Sequence, residues 1–125
     1  MTATEHAVNI ARAMALAASN KLGQDIVAMD VSRPLAITDI FLLVSASNER
    51  QVGAIVDAID EAAAGMGLRV VRREGESEHR WVLLDLVDVV VHIMLKDERQ
   101  LYSLERIWKD TPRIEVDLEP AGGAS

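Results

Sequence analysis

Residues 81–95 read WVLLDLVDVVVHIML. Two apolar runs of strand length are separated only by the stretch around Val87 and Asp88. Such a stretch predicts an antiparallel hairpin with a tight turn. With a two-residue loop at Val87-Asp88, Leu86 pairs with Val89, Leu84 with Val91 and Val82 with Ile93. That face is Val82, Leu84, Leu86, Val89, Val91 and Ile93, without a polar atom, so a helical layer must cover it. The opposite face pairs Asp85 with Val90, Leu83 with His92 and Trp81 with Met94. It is mixed, and it raises the question of function.

The rest of the chain supplies the covering layers. Residues 2–22 carry Ala7, Ile10, Ala11, Met14, Ala18 and Leu22 at helical spacing, with Thr2 and Glu5 as a capping box and Gly23 as the stop. QDIVAMDV (24–31) predicts a strand with Ile26, Ala28 and Asp30 on one face. IFLLVSA (40–46) is a nearly continuous apolar run, expected as a central strand buried on both faces. Ser47 is placed to cap a second helix, whose stripe is Val52, Ile55, Val56, Ile59, Ala62 and Ala63, and which Gly65 and Gly67 end. LRVVRREG (68–75) reads as a charged strand near an edge, and a third helix runs from about Asp97 to Lys109. The expected fold class is α/β (mixed α+β): one mixed sheet of about five strands flanked by helices, in the order α-β-β-α-β-β-β-α. The expected domain spans 1–110. Beyond it, 111–125 reads as an acidic, disordered tail in which the pattern fades after Pro112.

The composition excludes several function classes. With no cysteine there is neither a disulfide framework nor a thiolate metal site. The first twenty residues are not a signal peptide, and no apolar run reaches the ~18 residues of a membrane span, so a soluble cytoplasmic protein is expected. A net charge of −7 makes the chain a poor nucleic-acid binder and a plausible partner for a basic protein. No glycine-rich phosphate loop is present, and His6, His79 and His92 lack ligand spacing. Asp85 and Asp88 flank the turn and Asp39 precedes a strand, where solvated or turn-forming carboxylates are commoner than a metal site. No catalytic residue, metal or cofactor is expected.

The chain has four aromatic residues, Phe41, Trp81, Tyr102 and Trp108. On the third helix Leu101, Leu104 and Trp108 are expected to face the core. Tyr102 lies about 100° round that helix, beside Glu105 and Arg106, on the exposed flank. The mixed hairpin face has two readings: a second core layer with His92 as a satisfied buried histidine, or a partner-binding face anchored by Trp81 and Tyr102. An exposed tyrosine beside that face favours the second.

These blocks resemble a known family. The run EG at 74–75, WVLLD at 81–85, DVVVHIM at 88–94 and R-x-x-Y-x-L-E-x-x-W at 99–108 are similar to the ribosomal silencing factor family, RsfS or iojap-like. GQDI at 23–26, ITD at 37–39 and S-x-x-R-Q-V at 47–52 fit the same pattern, which covers about residues 5–110. The resemblance implies a nucleotidyltransferase-like fold without the catalytic motif, hence a binding protein and not an enzyme. It implies a translational repressor that binds the large ribosomal subunit through its fourteenth ribosomal protein. There it would block association with the small subunit, especially under nutrient limitation. It also implies a homodimer, with no membrane and no sequence-specific nucleic acid among its partners. Together with the face argument, it gives Trp81, Leu83, Asp85, His92, Met94, Tyr102 and Glu105 as the expected partner-binding residues. The family usually has Gly at the hairpin turn, where this chain has Val87. Because valine resists positive φ, a turn with Val87 left-handed is not expected.

Overall fold

In a computed structural model the chain is a six-stranded sheet with two long helices on one face. The structure describes residues 3–33, 37–102, 106, 109–116 and 118, without the side chain of Tyr102. The elements in order are α1 (Glu5–Asn20), β1 (Gln24–Asp30), β2 (Ile40–Ala46), α2 (Glu49–Gly65), β3 (Arg72–Glu74), β4 (Trp81–Asp85), β5 (Val89–Leu95), α3 (Lys96–Tyr102) and β6 (Arg113–Ile114). The sheet order is β3-β4-β5-β2-β1-β6. Among the described residues only β2 and β5 run parallel, with Leu43 opposite His92, and the other pairings are antiparallel.

The mixed α/β class and the two central strands follow from the hydrophobic pattern. The stripe Ala7, Ile10, Ala11, Met14 and Ala18 is buried completely, and so are Val52, Ile55 and Ile59 on α2. Both stripes close on Ile40, Leu42, Val44 and the whole aliphatic face of the hairpin, Val82 to Ile93. Each fully buried Ile, Leu, Val or Met contributes ~1.5–3 kcal/mol, so this layer dominates the stability of the domain. The other sheet face carries a smaller cluster of Met29, Val31 and Leu43, with Val27 and Phe41 packed against it.

Capping differs in detail from the sequence reading. Thr4, not Thr2, caps α1, its hydroxyl accepting from Ala7 N at 3.0 Å. The backbone around that cap is held by two carboxylates: Ala3 N donates to Asp30 and Thr4 N to Asp39, each at 2.9 Å. Asn48, not Ser47, caps α2 by accepting from Gln51 N at 2.8 Å. Gln51 in turn accepts from Ser47 N and donates to the carbonyls of Lys21 and Leu22, tying the start of α2 to the end of α1. Asparagine wins because its side-chain oxygen reaches the first free amides from the residue directly before the helix.

Three further expectations need correction. Leu101 is 74% exposed and does not face the core. The chain past residue 111 is not all tail: Arg113 and Ile114 pair with Met29 and Ala28, while Ile114, Val116 and Leu118 pack on the core. That short stretch is the sixth strand, too brief to show a period of two. The charged strand at 68–75 shrinks to Arg72–Glu74, as the edge strand expected. Leu104, Glu105 and Trp108 lie outside the described residues.

The hairpin has the two-residue connection and the predicted register, with Trp81 opposite Met94 and Leu83 opposite His92. Its turn contradicts the expectation for Val87, which adopts φ 76°. Asp88 N donates to the Leu86 carbonyl at 3.0 Å, closing a three-residue γ-turn around Val87. Asp85 accepts from Val87 N at 2.8 Å, and Leu86 N donates to the Val89 carbonyl at 2.9 Å. These bonds hold a β-branched residue where it costs ~1–2 kcal/mol. Replacing Val87, which is half exposed, by glycine should therefore raise unfolding stability by roughly 1 kcal/mol. Urea denaturation checks this, and a Val87→Gly midpoint at or below that of the parent would show that the turn is not strained.

Candidate partner-binding face

Alternation along the strands places Val27, Met29, Phe41, Leu43, Ser45, Trp81, Leu83, Asp85, Val90, His92 and Met94 on the face opposite α1 and α2. The mixed face of the sequence is real, and it divides into a buried part and a partly buried one. Met94 is completely buried and His92 is 5% exposed, so they form a second core layer. Trp81, Leu83 and Asp85 on β4 are only partly buried and present a short row of side chains outward. Of the expected partner-binding residues the structure thus brings five together. Tyr102 belongs to α3, its side chain undescribed, and Glu105 lies outside the described residues.

His92 organises this face. Trp81 Nε1 donates to His92 Nδ1 at 3.1 Å, and the edge of Phe41 meets the imidazole with centroids 4.9 Å apart. Because Nδ1 accepts, the neutral ring carries its proton on Nε2. Nε2 is buried without a hydrogen-bond partner among the described residues. Burial without a compensating charge drives the His92 pKa down to about 4. The imidazole is a neutral spacer that sets the height and tilt of Trp81.

The loop before β4 supports the same tryptophan. Gly75 has φ 82°, and a Cβ there would lie 2.0 Å from the Trp81 carbonyl oxygen. Gly75→Ala should displace the start of β4 and cost about 2–3 kcal/mol, read by thermal or chemical denaturation. An unchanged stability would mean that the loop does not brace Trp81.

Arg99, which sequence reasoning passed over, reaches the same face. It is 7% exposed and Nη1 donates to Ser45 Oγ at 2.9 Å, fixing α3 against β2. Arg80 anchors the same helix through Glu98 at 2.8 Å. Phe41 was also missed as a neighbour of His92. The parallel pairing of β2 with β5 is the signal that would have found both, since it sets Leu43 beside His92 and Ser45 beside Met94.

Of the carboxylates weighed as metal ligands, Asp85 and Asp39 serve the backbone and Asp88 faces a histidine. Asp85 accepts from the turn, Asp39 from Thr4 N, and Asp88 stands 4.0 Å from His6. Among the described residues no three His, Cys, Asp or Glu side chains group as metal ligands. Among those residues, too, no helix is long and apolar enough to cross a membrane.

The His92 environment has a signed pH consequence. Its folded pKa of about 4 lies below the ordinary value of 6.5. The unfolded chain therefore binds the proton first, and stability falls as pH drops from about 6.5 towards 4, by up to ~1.4 kcal/mol per pH unit. The stability difference between the parent and His92→Gln should shrink over that window, because the variant cannot bind the proton. Asp30, whose pKa is lowered, despite burial, by hydrogen bonds from Ser32 and Ala3, contributes equally to both proteins. A difference that stays constant with pH would place the imidazole in contact with water.

With the geometry in hand, the relatives are informative. A family model described as "Ribosomal silencing factor during starvation" matches residues 4–124. The chain is 40% identical over 110 residues to "Ribosomal silencing factor RsfS" of Bacillus subtilis, covering 88% of this chain and 93% of that protein. It is 28% identical to the mouse "Mitochondrial assembly of ribosomal large subunit protein 1", over 68% of this chain and 39% of that one. Among solved structures, a Bacillus halodurans protein superposes with a TM-score of 0.76 at 34% identity, covering 90% of this chain and 100% of that one. A Chromobacterium violaceum protein does so with 0.78 at 30% identity, covering 81% and 84%. Family match, sequence identity and shared fold agree over nearly the whole length: the chain belongs to the RsfS family of ribosomal silencing factors.

Proposed function

We propose that this protein is a non-catalytic translational repressor. It binds the large ribosomal subunit through the fourteenth ribosomal protein and sterically blocks joining of the small subunit, most usefully when nutrients are scarce. The relatives' names supply the ribosome; the mouse relative is named for assembly of the large subunit. The observation that carries the finer reading is the row Trp81, Leu83 and Asp85, standing out from β4 over a rigid bed of His92 and Met94. An aromatic anchor whose rotamer is already fixed loses little entropy on binding, and such residues dominate hot spots. In this reading Trp81, Leu83 and Asp85 touch the partner. His92 and Met94 support them from the neighbouring strand, and Tyr102 and Glu105 are further partner residues in this reading. The acidic charge of the chain suits a basic ribosomal protein, and a cytoplasmic location follows from that partner.

A homodimer fits the same account if the partner-binding face is also the dimer face, opened on meeting the ribosome. A nucleotidyl-transfer enzyme is disfavoured by the roles of the carboxylates, which cap backbone amides.

The test compares binding with stability in the same variants. Trp81→Ala and Leu83→Ala should each weaken co-sedimentation with purified large subunits, Trp81→Ala by ~2 kcal/mol or about thirtyfold. Subunit-joining inhibition should fall in parallel while the fold is kept. A folded Trp81→Ala protein that still blocks joining normally would assign the tryptophan to packing alone.

A further inference from the structure

Strand β3 forms the sheet edge beside β4, and its three exposed residues divide between the two faces. Arg73 lies opposite Leu84, whose side chain belongs to the aliphatic core. It accordingly turns to the helical face, where its guanidinium pairs with Asp60 on α2 and, at 2.9 Å, with Glu76. Side chains alternate along a strand, so Arg72 and Glu74 stand on the other face. Glu74 lies opposite Leu83 and Arg72 opposite Asp85. The row proposed to meet the ribosome therefore continues to the sheet edge as a charged strip beside Trp81 and Leu83.

Two features set this strip apart. Its place is fixed, because directly after Glu74 the chain turns at Gly75, which lies against the Trp81 carbonyl. Opposed Cβ atoms on neighbouring strands are about 5 Å apart, so Glu74 is held one side chain away from Leu83. Its ion pair, in contrast, is loose. Arg80–Glu98 and Arg73–Glu76 close at 2.8 and 2.9 Å, whereas Arg72–Glu74 stands at 3.5 Å with both side chains more than half exposed. A pair of that length lacks the short contact of a charge-assisted hydrogen bond, and an exposed pair stabilises a fold little. Glu74 can exchange Arg72 for another cation without loss to the fold.

We infer, resting on the reading of this face as the ribosome-binding one, that Glu74 determines its specificity: the carboxylate gives up Arg72 and takes a lysine or arginine of a basic protein surface. Arg72 is its antagonist, since it occupies Glu74 in the free protein and repels the incoming cation. The strip favours a basic protein over RNA, because a carboxylate beside the anchor repels phosphate and so acts against the wrong partner. The charge of −7 draws a basic partner in from a distance, and Glu74 gives it a point of attachment. An apolar centre at Trp81 and Leu83 with a charge at its margin is the usual anatomy of a protein interface.

The experiment measures association and dissociation of the full chain with purified large subunits at low and high salt. The proteins are the parent, Trp81→Ala, Glu74→Gln, Arg72→Gln and Glu61→Gln. Glu61 is exposed on α2, across the sheet, and its variant makes the same change in net charge as Glu74→Gln. Glu74→Gln should weaken binding about fivefold at low salt, mainly through slower association, and less at high salt. Arg72→Gln should tighten binding about twofold. Glu61→Gln should leave it unchanged, and the melting temperatures of the three charge variants should match that of the parent. Equal weakening by Glu61→Gln and Glu74→Gln would assign the effect to net charge and overturn the inference. Tighter binding by Glu74→Gln with weaker binding by Arg72→Gln would set RNA against the strip and overturn it too. So would a Glu74→Gln protein that loses self-association yet binds the subunit normally, which would give the strip to a second copy. Neutral results at 72 and 74, with Trp81→Ala weakened, overturn this inference alone. Neutral results at all three positions overturn the reading of the face as well.

Discussion

Strand β5 is the member on which the rest of the structure depends. It pairs in parallel with β2 and antiparallel with β4, and six of its seven residues are buried. Its two faces differ in chemistry. Val89, Val91 and Ile93 meet the helices, whereas Val90, His92 and Met94 meet the opposite layer. The aliphatic face holds the domain together through burial. The other face sets a histidine under a tryptophan. A central strand of this kind cannot shift register by one residue without putting His92 among the helices, where its imidazole would lose the Trp81 hydrogen bond. The same strand therefore fixes both the fold and the shape of the partly buried row on β4.

The parallel pairing also makes the two ends of the sheet different. On the hairpin side, Asp85 and the Asp88 amide hold a strained Val87. At the far end the chain leaves β2 for α2 on the aliphatic face and β5 for α3, whose Arg99 donates to Ser45 on the other. Between the two lies the row of Ser45, Met94 and Trp81, three adjacent strands deep. The position of α3 depends on the Arg99–Ser45 hydrogen bond and the Arg80–Glu98 ion pair.

Most of this was legible in the sequence, for identifiable reasons. The hairpin register, the two long helices and the burial of β2 follow from strong periodicity in long apolar segments, where alternatives bury charge or expose many methyl groups. The split of the mixed face into buried His92 and Met94 and partly buried Trp81, Leu83 and Asp85 was not legible, because alternation gives the face and not the depth. Arg99 was missed because a cation on a helix reads as solvated, and its hydrogen bond to the distant Ser45 leaves no trace in the local pattern. The helix caps shifted by one or two residues, since Thr2 and Thr4, and Ser47 and Asn48, are all competent caps. Val87 defied its own preference because hydrogen bonds from both sides of the turn outweigh the conformational cost. Ile114 pairs with β1 in a segment too short to carry a pattern.

The central claim is that the β4 row, and not the helical face, meets the ribosome. Photo-cross-linking to purified large subunits tests it most directly. A photoreactive side chain is placed at position 83 on β4 or, as the comparison, at position 57, an exposed site on α2. The account predicts efficient cross-linking from position 83 to a single ribosomal protein, the fourteenth of the large subunit, and little from position 57. Cross-links formed from position 57 and not from 83 would contradict it, because they would put the opposite face of the sheet against the ribosome.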